Sequence, residues 1–306
     1  MSKTTATSVR KTHRLLLTYL SAQINELRAR EPGARIDSPD AVHRMRVAAR
    51  RLRSSLATFR PLFRGSKAQR LRDELQWLGT VLGPVRDVEV MRAYLQETAA
   101  ALVDDADLAN ILAQLDHELA ERYSRAHGKQ VTAMDGPRYA ALLAALEAFV
   151  IKPSWARRTT KASARLTLPA LVGRACARVD EAARAAQSSG KAEGMPEGGD
   201  AELHAVRKAA KRARYAAEVT GPSATSAAYS LAERMEELQE VLGGHQDSLM
   251  VRALLQDLAS RMTERQAFAL SLMTGAEQEA DESFLAAYDV ALAAASTDEV
   301  RAWTLR

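Results

Sequence analysis

Apolar side chains recur every three or four positions along most of this chain, the spacing that buries one face of an α-helix. Alanine and leucine fill many of these positions, and the alternation of β-branched residues that is typical of strands is absent. The pattern therefore predicts an all-α fold. The expected helices lie at roughly 9–30, 40–60, 66–82, 85–102, 106–127, 137–151, 164–189, 201–219, 224–242, 246–260 and 264–294.

Glycine and proline set several of the expected helix boundaries. Ser38-Pro39-Asp40 predicts an N-cap followed by a proline at the first helical position. Gly83-Pro84 and Gly243-Gly244 are expected to end the helices before them, because glycine adopts the left-handed cap conformation and proline cannot extend a helix.

Two motifs occur twice, in the same order. A basic motif runs from His43 to Arg53 and again from His204 to Arg214, at an offset of 161 residues. A Leu-Gly motif that ends in aspartate runs from Leu82 to Asp87 and again from Leu242 to Asp247, at an offset of 160 residues. The copies are too few and too far apart for a solenoid. The repeat predicts two similar helical halves, at about 1–150 and 151–306.

Basic residues are segregated along the chain. The 43 Lys and Arg exceed the 38 Asp and Glu by only five. Ten of these basic residues nevertheless fall between Arg44 and Arg72, and seven between Lys152 and Arg178, and neither block contains an acid. Blocks of this kind create a local positive field that favours an anionic partner.

Each basic motif aligns cations along one side of its helix. At about 100° per residue, positions i, i+3, i+7 and i+10 fall within an arc of about 80°. The arc of the first helix holds the first stripe, His43, Arg46, Arg50 and Arg53, and the arc of the second helix holds the second stripe, His204, Arg207, Lys211 and Arg214. The other basic residues of the motifs are expected to point away from these arcs, towards solvent or a salt bridge; they are Arg44, Arg51, Lys208 and Arg212.

We expect both stripes to lack a carboxylate within one helical turn. Like charges at i and i+4 destabilise a helix by a few tenths of a kcal/mol, so the stripes require either acids from another helix or an external anion. The alternative is that the stripes are ordinary solvent-exposed helix faces, with cations that are hydrated and bind no anion. Asp87 and Asp247 are expected either to stabilise a helix N-terminus or to orient an arginine of the stripes.

The histidines that begin the stripes are candidates for phosphate contact or for simple packing. Neighbouring arginines disfavour the charged imidazole of His43 and His204, whereas a bound polyanion favours it. Neither has a His, Asp or Glu at i+3 or i+4, so a helical metal pair is not expected. The single cysteine, Cys176, excludes an intrachain disulfide and a cysteine-based zinc site. We expect no metal and no cofactor.

These motifs resemble those of the CHAD family, the conserved histidine α-helical domain. The resemblance lies in the His43–Arg53 helix, in Leu82-Gly83-Pro84-Val85-Arg86-Asp87, and in their second copies. It implies two four-helix-bundle halves related by a pseudo-twofold axis, with basic residues lining a shared central groove or pore. It also implies binding of inorganic polyphosphate and location on polyphosphate granules. No fused catalytic domain is visible in the sequence, so a stand-alone member is expected.

The sequence and the resemblance together predict a non-catalytic polyphosphate-binding protein of the cytoplasm. The eight stripe residues are the expected phosphate contacts, and free phosphate or sulfate is expected to fit the same site. Nucleic-acid binding is an alternative, although aromatic residues make up only 5% of the chain and base stacking needs them. A phosphate-chain-processing enzyme that uses His43 or His204 ranks last. Second-tier binding candidates are Arg10, Arg14, Arg51, Lys161, Arg165 and Arg212.

A membrane span is not expected. The longest apolar stretch, Tyr139 to Ile151, contains Glu147 and is shorter than the roughly 20 residues that cross a bilayer.

Overall fold

The computed structural model of the chain describes residues 3–101, 106–156, 167–189, 200–220, 226–259 and 283–305. Its helices are α1 (Lys3–Arg35), α2 (Ala41–Thr58), α3 (Lys67–Ala101), α4 (Ala106–Asp135), α5 (Pro137–Ile151), α6 (Leu168–Ser189), α7 (Asp200–Glu218), α8 (Ser226–Ala259), α9 (283–294) and α10 (Asp298–Arg301). Within these ranges the only β-pairing is one isolated bridge between Phe63 and Trp155. The all-α prediction is confirmed.

Helix packing follows the order of the chain, with one contact that joins its first and second parts. α2 packs between α1 and α3, and α4 and α5 pack against α3. α7 packs between α6 and α8 in the same way, and α2 also contacts α7 directly. One continuous hydrophobic core includes residues from α1 through α10. The two helices that carry the basic motifs therefore meet near the middle of the molecule.

The two motif helices each bury one apolar face. In α2 the buried positions recur every three or four residues, as in Met45, Leu52 and Leu56. In α7 much of the buried face is alanine, including Ala209 and Ala213, and small side chains let neighbouring helices approach closely. No helix in the described ranges combines the length and apolar composition that a bilayer span requires.

Two predicted helix ends are wrong. α3 continues through Gly83-Pro84, and α8 continues through Gly243-Gly244. A proline inside a helix removes one backbone hydrogen bond and costs about 3 kcal/mol. α3 packs against α2, α4 and α5, and tertiary packing supplies most of the stability of a protein helix. Burial against three neighbours therefore offsets the local cost of the proline.

The start of α2 also differs from the prediction. The helix begins at Ala41, and Pro39 lies outside it. Asp40 occupies the N-cap position with a left-handed φ of 61°, and its side chain caps no backbone N–H. The carboxylate instead forms an ion pair with Arg44 one turn further on, 2.7 Å from Nε. Asp40 therefore stabilises the first turn through a side-chain pair.

Candidate anion-binding site

Five arginines on four helices lie within electrostatic range of at least one other member of the group, and we call them the arginine cluster. Its members are Arg50 and Arg53 of α2, Arg72 of α3, Arg178 of α6 and Arg212 of α7. Within the described part of the chain, none of the five forms an ion pair with a carboxylate. An uncompensated group of this kind repels itself and attracts an anion.

The charges of the cluster act on one another. Burial, followed by the nearby charges of Arg72 and Arg50, lowers the pKa of Arg53. Burial, followed by Arg178, Arg72 and Arg53, lowers the pKa of Arg212. Both arginines stay protonated at any physiological pH, so the shifts show the direction of the repulsion and not a loss of charge. A bound polyanion would relieve this repulsion.

Hydrogen bonds hold two members of the cluster in place. Arg50 Nε donates to the hydroxyl of Tyr215 across the contact between α2 and α7, at 3.0 Å. Tyr215 is almost fully buried, so it is a rigid anchor for that guanidinium. Arg72 Nη1 donates to Gln69 at 2.7 Å, whereas its Nε is buried without a hydrogen-bond partner in the described residues.

His43 lies at the α2 end of the same electrostatic neighbourhood. Burial lowers its pKa, and the charges of Arg86 and Arg50 act in the same direction. The carboxylates of Asp40 and Glu89 oppose this shift but do not reverse it. The imidazole is therefore biased towards its neutral form, as expected from the surrounding arginines.

Arg46 has a counter-ion from another helix, which is one of the two alternatives expected for the stripes. Its Nη1 lies 3.2 Å from Asp87 and donates to the carbonyl oxygen of Gly83 at 3.1 Å. Asp87 lies within α3 and not in a first turn, so it orients an arginine of the stripe, the second of its two expected roles. Arg46 remains about one-third exposed, so these partners do not enclose it completely.

The equivalent arginine of the second half packs in a similar way. Arg207 Nη1 donates to Gln246 at 2.8 Å. A Cβ added to Gly243 would lie 3.0 Å from Arg207 Nη2, and one added to Gly83 would lie 3.3 Å from Arg46 Nη1. The glycine of each Leu-Gly motif therefore leaves room for an arginine from the neighbouring motif helix. Asp247 belongs to α8, and its side chain lies outside the described residues.

Arg214 departs furthest from the expectation. Its Nε lies 2.9 Å from Glu218 and its Nη2 lies 2.6 Å from Glu236, and the side chain is only 13% exposed. Glu218 also accepts a hydrogen bond from the hydroxyl of Tyr19 at 2.7 Å and pairs with Arg51 at 3.3 Å. Arg214 and Arg51 are thus already neutralised inside the protein and serve its stability.

The other predicted residues have varied positions. His204 and Lys211 are half-buried on α7, and Nδ1 of His204 is buried without a hydrogen bond among the described residues. Arg10 and Arg14 line an open groove along α1 of about 680 Å³, next to His13, which stacks on Trp155 at 3.8 Å. The remaining second-tier candidates, Lys161 and Arg165, lie outside the described residues.

Three members of the cluster are not among the eight stripe residues of the sequence prediction, although Arg212 is one of its second-tier binding candidates. Arg212 was expected to point away from its stripe, but it approaches Arg53 and Arg72 because α2 and α6 flank α7. Arg72 and Arg178 were not predicted as binding residues, although each is the last basic residue of an acid-free block. The lack of acids in those two blocks is the sequence feature that indicates them. No three His, Cys, Asp or Glu side chains within the described ranges converge as metal ligands.

Solved structures with a similar fold include the following two. PptA from Streptomyces chartreusis matches with a TM-score of 0.74 and 23% identity, covering 91% of this chain and 98% of PptA. At that identity the likeness supports the fold alone. The CHAD domain from the plant Ricinus communis matches with a TM-score of 0.60 and 26% identity, covering 96% of this chain and 91% of the domain.

Sequence comparisons agree with the resemblance. Uncharacterized proteins from two strains of Mycobacterium tuberculosis are each 33% identical over 264 residues, which is 86% of this chain and 49% of the relative. The chain therefore spans about half the length of the curated relatives it matches. The model of the CHAD domain matches residues 18–256. The chain belongs to the CHAD domain family, which is associated with polyphosphate binding.

Proposed function

We propose that this protein binds inorganic polyphosphate, without processing it, at the arginine cluster. The observation that carries the proposal is the convergence of five arginines from four helices without a carboxylate partner among the described residues. Each well-formed charge-assisted hydrogen bond contributes about 1.5–3 kcal/mol. A flexible chain of phosphates supplies several acceptors at once, so it can satisfy guanidinium groups that point from different helices.

The exposed and half-exposed residues next to the cluster extend the proposed site. Arg46 is about one-third exposed beside Asp87, and His43 lies within the field of Arg50. His204, Arg207 and Lys211 complete the proposed contacts on α7. Arg214 and Arg51 are left out because their guanidinium groups already bind Glu218. Free phosphate or sulfate is expected to occupy parts of the same site.

Nucleic acid is the weaker candidate for the anion. Proteins that bind single strands without sequence preference stack bases on aromatic side chains. Tyr215 is the aromatic residue that contacts Arg50, and it is only 1% exposed and therefore cannot offer its ring face to a base. Tyr215 therefore supplies no stacking surface for a base beside Arg50.

A binding role also suits the histidines better than catalysis does. Phosphoryl transfer usually uses a divalent cation to neutralise the developing charge. The arginine cluster can stabilise the charge of bound phosphates, but none of its five members is a nucleophile. We therefore propose that His43 and His204 contact or flank bound phosphates. Hydrolysis of polyphosphate that is lost in the His43→Ala, His204→Ala variant would contradict this proposal.

The repeat suggests how the site is built. We propose that residues 1–150 and 151–306 form two halves related by a pseudo-twofold axis near the contact between α2 and α7, with a basic groove shared between them. The equivalent positions of α2 and α7 between their neighbours support this arrangement. We also propose that polyphosphate binding brings the protein to polyphosphate granules in the cytoplasm.

Charge reversal within the cluster tests the function. Arg53→Glu with Arg212→Glu is expected to reduce affinity for long-chain polyphosphate at least a hundredfold, because two attractions become two repulsions. The matched control is Arg122→Glu with Arg125→Glu on the exposed surface of α4. It makes the same change in net charge and is expected to retain most of the affinity.

The titration is carried out at two salt concentrations, because counter-ion release makes binding to a polyanion strongly salt-dependent. Single-stranded and duplex DNA compete in parallel, and phosphate release is measured with and without Mg²⁺. Equal loss of affinity in both double variants would show that polyphosphate affinity depends on the net charge of the protein and not on the position of the arginine cluster. Equal competition by DNA at matched charge would favour the nucleic-acid alternative.

A further inference from the structure

A groove between α3 and α5 lies apart from the arginine cluster and has no part in the proposed function. Its volume is about 510 Å³, within the range of about 300–1,000 Å³ that is typical of small-molecule sites. Leu71, Leu142 and Phe149 form its apolar base. Exposed alanines at positions 141, 145 and 148 of α5, on one helix face, leave the space above that base open.

The two ends of the groove differ in charge. At one end Arg138 donates to both carboxylate oxygens of Glu74, at 2.7 and 3.1 Å, and lies 4.3 Å above the ring of Trp77. These groups neutralise each other and close that end. The far end of α5 lies near the start of α3, because the Phe149 ring contacts Phe63 with 4.9 Å between centroids.

The open end of the groove is cationic. It is lined by Lys67 and Arg70, which are exposed on the first turn of α3. Arg70 donates to the hydroxyl of Ser66 at 2.5 Å, and neither cation pairs with a carboxylate within the described residues. The groove thus has an apolar length and one positive end.

We propose that this groove binds a single-chain amphipathic anion, an alkyl carboxylate of medium to long chain. The carboxylate lies between Lys67 and Arg70, and the alkyl chain runs past the alanines towards Glu74. The lining residues of α5, from Arg138 to Phe149, span about 16 Å along the helix. That length suits an alkyl chain, whereas a stable protein partner needs an interface of about 800 Å² on each side.

Dodecanoate and dodecanol, titrated below their micelle-forming concentrations, test the proposal by calorimetry. Ala145→Phe fills the groove from the exposed surface of α5 and is expected to reduce dodecanoate affinity at least tenfold. Ala144→Phe adds the same ring at an exposed position that does not line the groove, and is expected to bind as the parent protein does. Circular dichroism and melting temperature show whether both variants keep the fold.

The charge of the open end is tested separately. Lys67→Ala with Arg70→Ala is expected to weaken dodecanoate binding at least fivefold while leaving dodecanol binding unchanged. Arg125→Ala with Lys129→Ala on the exposed face of α4 removes the same charge elsewhere and is expected to have no effect. Because the alcohol lacks the carboxylate, the comparison isolates the contribution of the two cations.

Several results would overturn the proposal. These are absence of dodecanoate binding, equal affinity in the Ala145→Phe and parent proteins, and equal weakening by Ala144→Phe. Binding to phosphatidylglycerol vesicles that Ala145→Phe abolishes, without binding of monomeric dodecanoate, would show a membrane-docking surface instead. Polyphosphate affinity is expected to be unchanged in Ala145→Phe, so failure here leaves the proposed function untouched.

Discussion

The two basic stripes share a sequence pattern but differ in how their charges are balanced. In the first stripe, Arg50 and Arg53 face three further arginines and, within the described residues, form no ion pair with a carboxylate. In the second stripe, Arg214 lies between Glu218 and Glu236 and is largely buried. The same motif therefore leaves two arginines of α2 without a carboxylate partner among the described residues, whereas it holds one arginine of α7 in an internal ion-pair network.

The difference comes from residues outside the motif. At the offsets of the repeat, Ala57 corresponds to Glu218 and Gln76 corresponds to Glu236. Arg53 thus lacks both carboxylates that neutralise Arg214. Two acids, Glu218 on α7 itself and Glu236 on α8, thus decide whether the arginine at this position of the motif is paired within the protein. Replacing these residues tests that explanation directly.

Removing the central carboxylate of the second half is expected to have the largest effect. Glu218→Gln leaves Arg51, Arg214 and the Tyr19 hydroxyl around a neutral amide. Breaking a buried ion pair on one side typically costs about 3–5 kcal/mol. Because Glu218 is 19% exposed, we expect the free energy of unfolding to fall by about 3 kcal/mol, near the lower limit of this range. Urea denaturation measures this change.

The control for this variant is Glu237→Gln, which removes a carboxylate from an exposed pair with Arg234. Surface pairs contribute about 0–1 kcal/mol, so this change is expected to be nearly neutral. Similar losses in both variants would show that the Glu218 network has no special stabilising role.

Introducing an acid into the first half is expected to have a smaller effect, on binding and not on stability. Ala57→Glu places a carboxylate one turn after Arg53, as Glu218 follows Arg214. Neutralising one guanidinium of the cluster is expected to reduce polyphosphate affinity about tenfold, equivalent to about 1.4 kcal/mol. The slope of log affinity against log salt is expected to fall by about one.

Ala57→Gln adds a side chain of the same size without the charge and is the control for the acid. It is expected to retain the affinity and the salt dependence of the parent protein. If Ala57→Gln weakens binding as much as Ala57→Glu does, steric displacement of α2 and not charge explains the loss. The balance of acids would then not account for the difference between the stripes.

Local sequence features predicted the fold better than they predicted the site. The helical spacing of apolar residues identified α2 and α7 because their buried faces are determined within the helix itself. The continuity of α3 through Pro84 depends on its neighbours, which a local signal cannot report. For Asp87 the sequence offered orientation of a stripe arginine as one of two roles, but it could not identify Arg46, which lies 41 positions away.

One missed contact was visible in the sequence. Glu218 follows Arg214 at i+4, the spacing of an ordinary helical ion pair, and it contradicts the expectation that both stripes lack nearby acids. The repeat indicates what the two motif helices share, whereas the pairing of their arginines depends on where they differ. Arg72 and Arg178 required tertiary structure, because no single helix presents them together with Arg53.

The smallest expected effect is the contribution of His43 to the pH dependence of stability and of polyphosphate affinity. Burial, then Arg86, lowers its pKa below the ordinary value of 6.5. Below that value the unfolded chain takes up a proton that the folded protein resists, so His43 reduces stability as the pH falls towards the lower folded pKa. A bound polyanion favours the imidazolium, so binding takes up a proton and becomes tighter over the same range.

The two effects of His43 therefore have opposite signs. Between pH 7.5 and 5.5, His43→Gln is expected to lessen the loss of unfolding free energy and to reduce the gain in polyphosphate affinity by about threefold. His117→Gln, which replaces a highly exposed histidine on α4, controls for the other titrating groups. If His43→Gln changes the pH dependence of stability but not that of affinity, the imidazole only packs against the protein. The first stripe would then bind phosphate through its arginines alone.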